Sequence, residues 1–488
     1  MRVFARAERK ERGTCNLLVS AHRRCPIEPS SIVAWVVANF YLIDRRLSRA
    51  LAEAAWGLMK ADCVSLSAIG RAMRGPLKAA GQIKRLWRLI HNPRFSPPAV
   101  QAALIHWIVG TALPPKGGSL RIGVVAMDWV ELDFGRIKAL RVNLITGSRA
   151  LPILWYEVLA SEMKQHQTEL QRRAILDLAL HRPPHVKWLV VLDSGFNSSE
   201  LIDVLNASGA YFEIRTTTKR LVHGLQDCWS AIETLPVSVG QLVDFGWVHH
   251  AASNSRAVRL VIARLYDGKK PARKSRRPPK STYKYSMPGL CAVITNLPED
   301  EFSGVDVIRF YARRFEIEHH FRDLKNASFG MDMEHTHLSR ASVYSRLMCI
   351  VALAETCLWL GGTEVESRGL HRSLSPCRPK DDRRVISLRN AAKQYLGLIQ
   401  VPIETLISRH LEPALERAPY VISKSWKDVK DPRQLKARAA TPDDLTPLPA
   451  RCRHRGDGSH RICPRKPVWE LVPTHQMPHG EPQMTKAA

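Results

Sequence analysis

The amino-acid sequence predicts an α/β protein, a mixed sheet flanked by helices, with an antiparallel β insertion, a helical N-terminal domain and a basic, largely disordered C-terminal tail. Three observations predict it. From residue 118 to 218, runs of β-branched and aromatic residues alternate with helical periodicity in the order β-β-β-α-β-α-β. Ahead of that span the pattern is helical throughout. Behind it come strand-like runs that the seven-element order does not need, and then further helices.

Taken in order, residues 1–30 form a basic arm rich in Arg, Lys and Ser. Residues 31–115 read as a helical domain with helices from Ile32 to Arg46, Ser48 to Lys60, Ser65 to Arg74, Ala79 to His91 and Val100 to Val109. Gly75-Pro76 supplies the turn within this series. The Ser65 to Met73 segment, followed by Lys84, Arg85 and Arg88, has the form of a helix-turn-helix presenting cations to DNA. A plain helical bundle with a charged outside has the same pattern.

Residues 118–218 carry strands from Ile122 to Asp133, Ala139 to Thr146 and Leu151 to Val158, then a helix from Gln167 to Leu180. A short, almost wholly apolar strand, Lys187 to Asp193, is of the buried parallel kind. A helix from Ser198 to Ala207 and a strand from Tyr211 to Thr216 complete the order that a ribonuclease-H-like fold requires. Asp128 lies within the first strand and Asp193 ends the fourth, and these strands are neighbours in such a fold. A carboxylate at the end of an apolar strand is costly to bury without a metal, a partner or a capping role. Singly, Asp193 could cap the next helix and Asp128 could face solvent with Glu131 and Asp133.

Residues 219–298 form the insertion, with strands from Gln241 to His249, Ala257 to Leu265 and Leu290 to Thr295. Its basic run contains Lys269, Lys270, Arg273, Lys274, Arg276 and Arg277, with tyrosines just after that can stack on bases, so it reads as a DNA-contacting loop. Residues 299–365 resume the sheet domain with a helix from Phe310 to Lys325. On one helical wheel Tyr311, Arg314, Glu318, Arg322 and Lys325 share a sector, beside an apolar stripe of Phe310, Ile317, Phe321 and Leu324. One carboxylate among cations suits an anionic ligand, or a metal held between protein and phosphate.

Residues 366–422 give two more helices, and residues 423–488 a basic tail poor in apolar residues. Within it Cys452, His454, His460 and Cys463 are potential zinc ligands, but the loop between the pairs is short and the flanks lack a core. His335 and His337 alternate on a short segment and are not read as ligands.

The whole chain of 488 residues carries 73 Lys and Arg against 45 Asp and Glu, a formal net charge of +28, which favours a polyanionic partner. Its ten cysteines are scattered without paired spacing, as expected of a reducing cytoplasm. The most apolar run, Leu347 to Leu360, contains Glu355 and is too short to span a bilayer, so no membrane partner is expected.

The spacing of Tyr311, Arg314, Glu318 and Lys325, Y-x2-R-x3-E-x6-K, resembles the signature helix of the insertion-sequence DDE transposases. The match is to the Tyr-Arg-Glu-Lys group, the insertion-sequence-four family. This resemblance implies that Asp128, Asp193 and Glu318 are catalytic and hold two Mg²⁺ ions, replaceable by Mn²⁺, and that no small-molecule cofactor is used. It implies that Tyr311, Arg314, Arg322 and Lys325 hold DNA, and that the N-terminal helices bind the element's ends. The partners it implies are double-stranded DNA, as transposon ends and target, and a second copy of the chain in a homodimeric synaptic complex. A metal-dependent DNA nuclease without strand transfer and a DNA-binding protein without chemistry remain open as alternatives.

Overall fold

The computed structural model describes residues 29–61, 63–115, 120–147, 149–224, 228–264, 289–326, 330–374, 386–395, 401–417 and 436–440. Residues 1–28 of the basic arm, the run Lys269, Lys270, Arg273, Lys274, Arg276 and Arg277, and the set Cys452, His454, His460 and Cys463 lie outside the described residues.

The N-terminal helices are α1 (Pro29–Asn39), α2 (Arg45–Lys60), α3 (Leu66–Ala72), α4 (Ala79–His91) and α5 (Pro97–Leu104, continued by a π turn at Ile105–Val109). The first helix ends earlier than its periodicity predicts. Asp44 stops the run by capping α2, its side chain accepting the N–H groups of Arg46 and Leu47. Ser65 and Ser96 cap α3 and α5 in the same way.

The sheet runs through β1 (Arg121–Leu132), β2 (Ile137–Ile145), β3 (Ala150–Leu159), helix α6 (Met163–Leu180), β4 (Val186–Leu192), helix α7 (Ser199–Ala207) and β5 (Tyr211–Thr216). β1 pairs antiparallel with β2 and parallel with β4, and β4 parallel with β5, so the strand order is 3-2-1-4-5. This mixed sheet, flanked by helices, fits a ribonuclease-H-like domain. β4 reads Val-Lys-Trp-Leu-Val-Val-Leu because both of its faces are covered, and all but Lys187 are buried.

Then come β6 (Leu221–His223), β7 (Ser230–Ala231), β8 (Gln241–His250), β9 (Arg256–Arg264) and β10 (Leu290–Thr295). They do not form a sheet of their own. β10 pairs antiparallel with β5, and β9, β8, β6 and β7 follow outward, so the insertion lengthens the same sheet. A further strand, β11 (Lys436–Ala439), pairs parallel with β8, which overturns the expectation of disorder for those four residues of the tail.

Helices α8 (Gly304–Ala312) and α9 (Phe315–Lys325) lie on one face of the sheet, where Ile308, Phe310 and Ile317 pack with Val124, Ala126, Leu189 and Val191. The other face joins the main core, shared with the N-terminal helices and with α10 (Ala341–Ser367). By length and composition α10 could cross a membrane, and it is longer than its central apolar run suggested. Of its most apolar window, however, 83% is buried inside this fold, between α2, β3 and α11 (Leu388–Tyr395). Arg346 of α10 donates to the carbonyl of Phe95, and Trp155 of β3 to that of Ser345, tying the helical and sheet regions into one core. The last described helix, α12, starts at Ile403–Leu406 and continues through a π turn.

Candidate active site

Strand register sets the first two acids side by side. Met127 pairs with Leu192 in the parallel β1–β4 ladder, so Asp128 and Asp193 follow at the same level. β1 continues past this point against β2, whereas β4 stops, and its last apolar residue hands over to a turn in which the Asp193 carbonyl accepts Phe196 N–H at 3.0 Å. Asp193 does not cap with its side chain, and its Oδ1 is a buried oxygen without a hydrogen-bond partner.

The third acid comes from α9, which packs across β1, β2 and β3. The expected single helix from Phe310 to Lys325 is broken: α8 ends at Ala312 and α9 begins at Phe315. No proline or glycine marks the break. Arg313, 1% exposed, donates through Nε to Glu316 Oε1 at 2.9 Å, while the other oxygen of Glu316 accepts the N–H of Gly147 at 3.0 Å. This buried pair tightens the turn and nails the start of α9 to the β2–β3 connection. Arg149, from the same connection, pairs with Asp323 near the other end of α9 at 3.0 Å. Glu318 is thus held between two anchors.

Arg314 sits at the break. Its guanidinium donates to Asp128 Oδ2 at 3.0 Å and to Glu318 Oε1 at 2.6 Å, and only 8% of its side chain is exposed. Asp128 also lies within electrostatic reach of Asp193, and it accepts Trp129 N–H at 2.8 Å. Burial raises its carboxyl to about 6, a shift opposed by Arg314 and by the Trp129 bond and reinforced by the two neighbouring acids. Burial likewise raises the Tyr311 hydroxyl, which is buried with no hydrogen-bond partner and faces Asp193, Arg215 and Arg314.

Three carboxylates offer only oxygen, the donor that hard divalent cations take, and the orphaned Asp193 Oδ1 lacks the cation or donor that a buried oxygen requires. In these respects the residues fit a divalent metal. They are not already closed into a cage: among the described residues no three His, Cys, Asp or Glu side chains are grouped to hold an ion, and a guanidinium stands between two of the acids.

Other candidates are placed elsewhere. Lys325 ends α9 with its ammonium 3.8 Å from Glu334, and Arg322 is exposed one turn before it. On α4, Lys84 and Arg88 are exposed, whereas Arg85 is ion-paired with Glu53 of α2. His335 binds Asp332 at 2.6 Å, and His337 lies 4.0 Å from Asp133. Sequence reasoning missed Arg215, the last residue but one of β5, within electrostatic reach of Asp193 and Tyr311. Its signal was a lone cation at the C-terminal end of an apolar strand next to the one bearing an acid. It also missed Arg313 and Glu316, whose charges looked like surface charges.

No curated protein matches the chain. Residues 125–354 match the family model of the transposase DDE domain, a span that contains Asp128, Asp193 and Glu318, and the match supports a DDE transposase.

Proposed function

We propose that this protein is a DNA transposase of the Tyr-Arg-Glu-Lys group that binds insertion-sequence ends, cleaves the phosphodiester there and joins the freed strand to target DNA. The observation that carries the reading is the gathering of Asp128, Asp193 and Glu318 around one buried arginine at the end of the central strands. Isolated structural acids would not be brought from β1, the end of β4 and α9 within reach of one guanidinium. The matched transposase DDE domain spans all three.

Asp128, Asp193 and Glu318 hold the divalent ions, Mg²⁺ with Mn²⁺ as a substitute. When bound, the ions supply a nucleophilic oxygen and neutralise charge at the leaving oxygen of an in-line displacement. Tyr311, Arg314 and Arg215 crowd the Asp193 side of the site and hold phosphate oxygens there, while Arg322 and Lys325 extend the contact along α9. The exposed Lys84 and Arg88 of α4, and the Lys269 to Arg277 run, contact the DNA backbone. Two copies act together on two ends, at the nucleoid in a prokaryotic cytoplasm.

The test is cleavage and strand transfer by purified protein on DNA carrying the ends that flank its own gene, in Mg²⁺, beside Asp193→Asn and Glu318→Gln. Cutting and joining that both variants lose, while still binding DNA, are expected. Cutting without joining would reduce the protein to a nuclease, and specific binding without chemistry in the wild type would remove the enzyme reading.

A further inference from the structure

Arg314 stands where the acids meet, and its contacts carry more than a phosphate-holding role. One guanidinium nitrogen binds Asp128 at 3.0 Å and another binds Glu318 at 2.6 Å, so a single planar cation bridges a strand residue and a helix residue. Asp193 and Tyr311 lie within electrostatic reach of the same group. A divalent cation shared by Asp128 and Glu318 would compete with Arg314 for Asp128 Oδ2 and Glu318 Oε1, since Asp128 Oδ1 already accepts Trp129 N–H. Two cations packed against the same pair of carboxylates also repel each other.

Two further features make the contact reversible. Arg314 Nε is buried without a hydrogen-bond partner, so the guanidinium is not fully satisfied where it lies. The residue also sits at the break between α8 and α9, where the helical ladder is already interrupted and Arg314 N–H bonds the Tyr311 carbonyl instead. A DNA phosphodiester offers the same guanidinium two non-bridging oxygens that share one negative charge, a fork that two of its nitrogens can engage at once.

We propose that Arg314 is a latch that couples metal to DNA: without DNA it ties Asp128 to Glu318 and excludes the divalent ion, and a DNA phosphate draws it off and opens the acids. The inference rests on the reading of these acids as metal ligands. DNA therefore tightens metal binding, and metal must tighten DNA binding by the same factor, because the coupling is reciprocal. The DNA-free protein is protected from idle metal-dependent hydrolysis.

The test measures Mn²⁺ binding by electron paramagnetic resonance, with and without duplex DNA, in the full-length wild type, Arg314→Gln, Arg314→Lys and Glu318→Gln. In the wild type DNA is expected to tighten Mn²⁺ binding by about 10-fold or more, a typical allosteric coupling. Arg314→Gln is expected to bind Mn²⁺ without DNA about as tightly as the wild type does with it, and to lose the coupling. Arg314→Lys, with one point charge in place of a fork, is expected to fall between them. Because phosphate oxygens also ligate Mn²⁺ directly, the deciding comparison is DNA-free binding by the Arg314 variants against the wild type, and Arg314→Lys keeps it readable if Arg314→Gln fails to fold. Equal wild-type affinity with and without DNA, removed by Glu318→Gln, would overturn the latch and leave the acids as ligands. No Mn²⁺ bound under any condition would overturn both the latch and the metal reading beneath it.

Discussion

The carboxylate of Glu316 accepts the backbone N–H of Gly147 at 3.0 Å while it neutralises the buried Arg313. One acid therefore joins a turn of the sheet to the helix that carries Glu318 two residues on, and it is buried to 2% exposure. Truncation takes this carboxylate from the buried, charged Arg313, and breaking a buried pair on one side costs about 3–5 kcal/mol. Glu316→Ala is expected to lose that much in urea unfolding, and Glu316→Gln less, since it keeps an acceptor for Gly147. A loss below about 1 kcal/mol for the alanine variant would mean the pair does not anchor α9.

Glu355 of α10 predicts a pH dependence. Burial raises its carboxyl to about 8, against the opposing pull of Arg141 and Arg389. An acid whose folded value lies above its unfolded one keeps its proton longer in the folded state, so stability falls as pH rises between the two values. Melting temperature is expected to decline from about pH 5 to about pH 8 and then level off. Glu355→Gln should flatten much of that decline, and an unchanged slope in the variant would assign the titration elsewhere.

α3 and α4 meet at Gly70, where a Cβ would lie 2.5 Å from Ile83 Cγ1 and 2.8 Å from Ile83 Cα. Because backbone cannot yield as a side-chain tip does, Gly70→Ala is expected to destabilise by about 1–3 kcal/mol through forced separation of the two helices. Thermal unfolding measures the loss. A neutral result would show the helix pair to be loosely packed.

Lys84 and Arg88 are exposed on α4, but Arg85 is engaged with Glu53. If Lys84 and Arg88 neutralise phosphates, each alanine substitution lowers the slope of log affinity against log salt by about 1. Arg85→Ala should leave the slope alone and cost a few tenths of a kcal/mol to about 1 kcal/mol in stability, as a half-exposed pair does. Fluorescence anisotropy over a salt series separates the cases, and equal slopes for all three variants would take α4 out of the DNA contact.

Much of this architecture was legible in the residues. Tyr211–Thr216, Leu290–Thr295 and Ala79–His91 carry enough β-branched or helical periodicity that their predicted ends coincide with the observed ones. That Asp193 ends up beside Asp128 was legible, because an Asp after Leu-Val-Val-Leu has few other reasons to be there. What escaped depends on partners far along the chain. β11 is Lys-Ala-Arg-Ala, with no apolar alternation, and it is a strand only because the β8 backbone lies free to pair with it. The α8–α9 break comes from Arg313, Glu316 and Gly147 meeting in space. On a helical wheel Arg314 and Glu318 share a sector, but nothing there tells that Asp128, 186 residues away in sequence, will take the other arm of the guanidinium.

The place of β10 between β5 and β9 sets an order of events during synthesis. A ribosome delivers β5 with one flank bare, and the strand that covers it, Leu290–Thr295, emerges only after β6 to β9 have been made. Until then the nascent chain presents an apolar strand with unpaired backbone groups, the kind of edge that invites pairing with another chain. Any chain released before Leu290 would keep that edge open and would lack α8 and α9, so an incomplete product is sticky and carries only two of the three candidate acids.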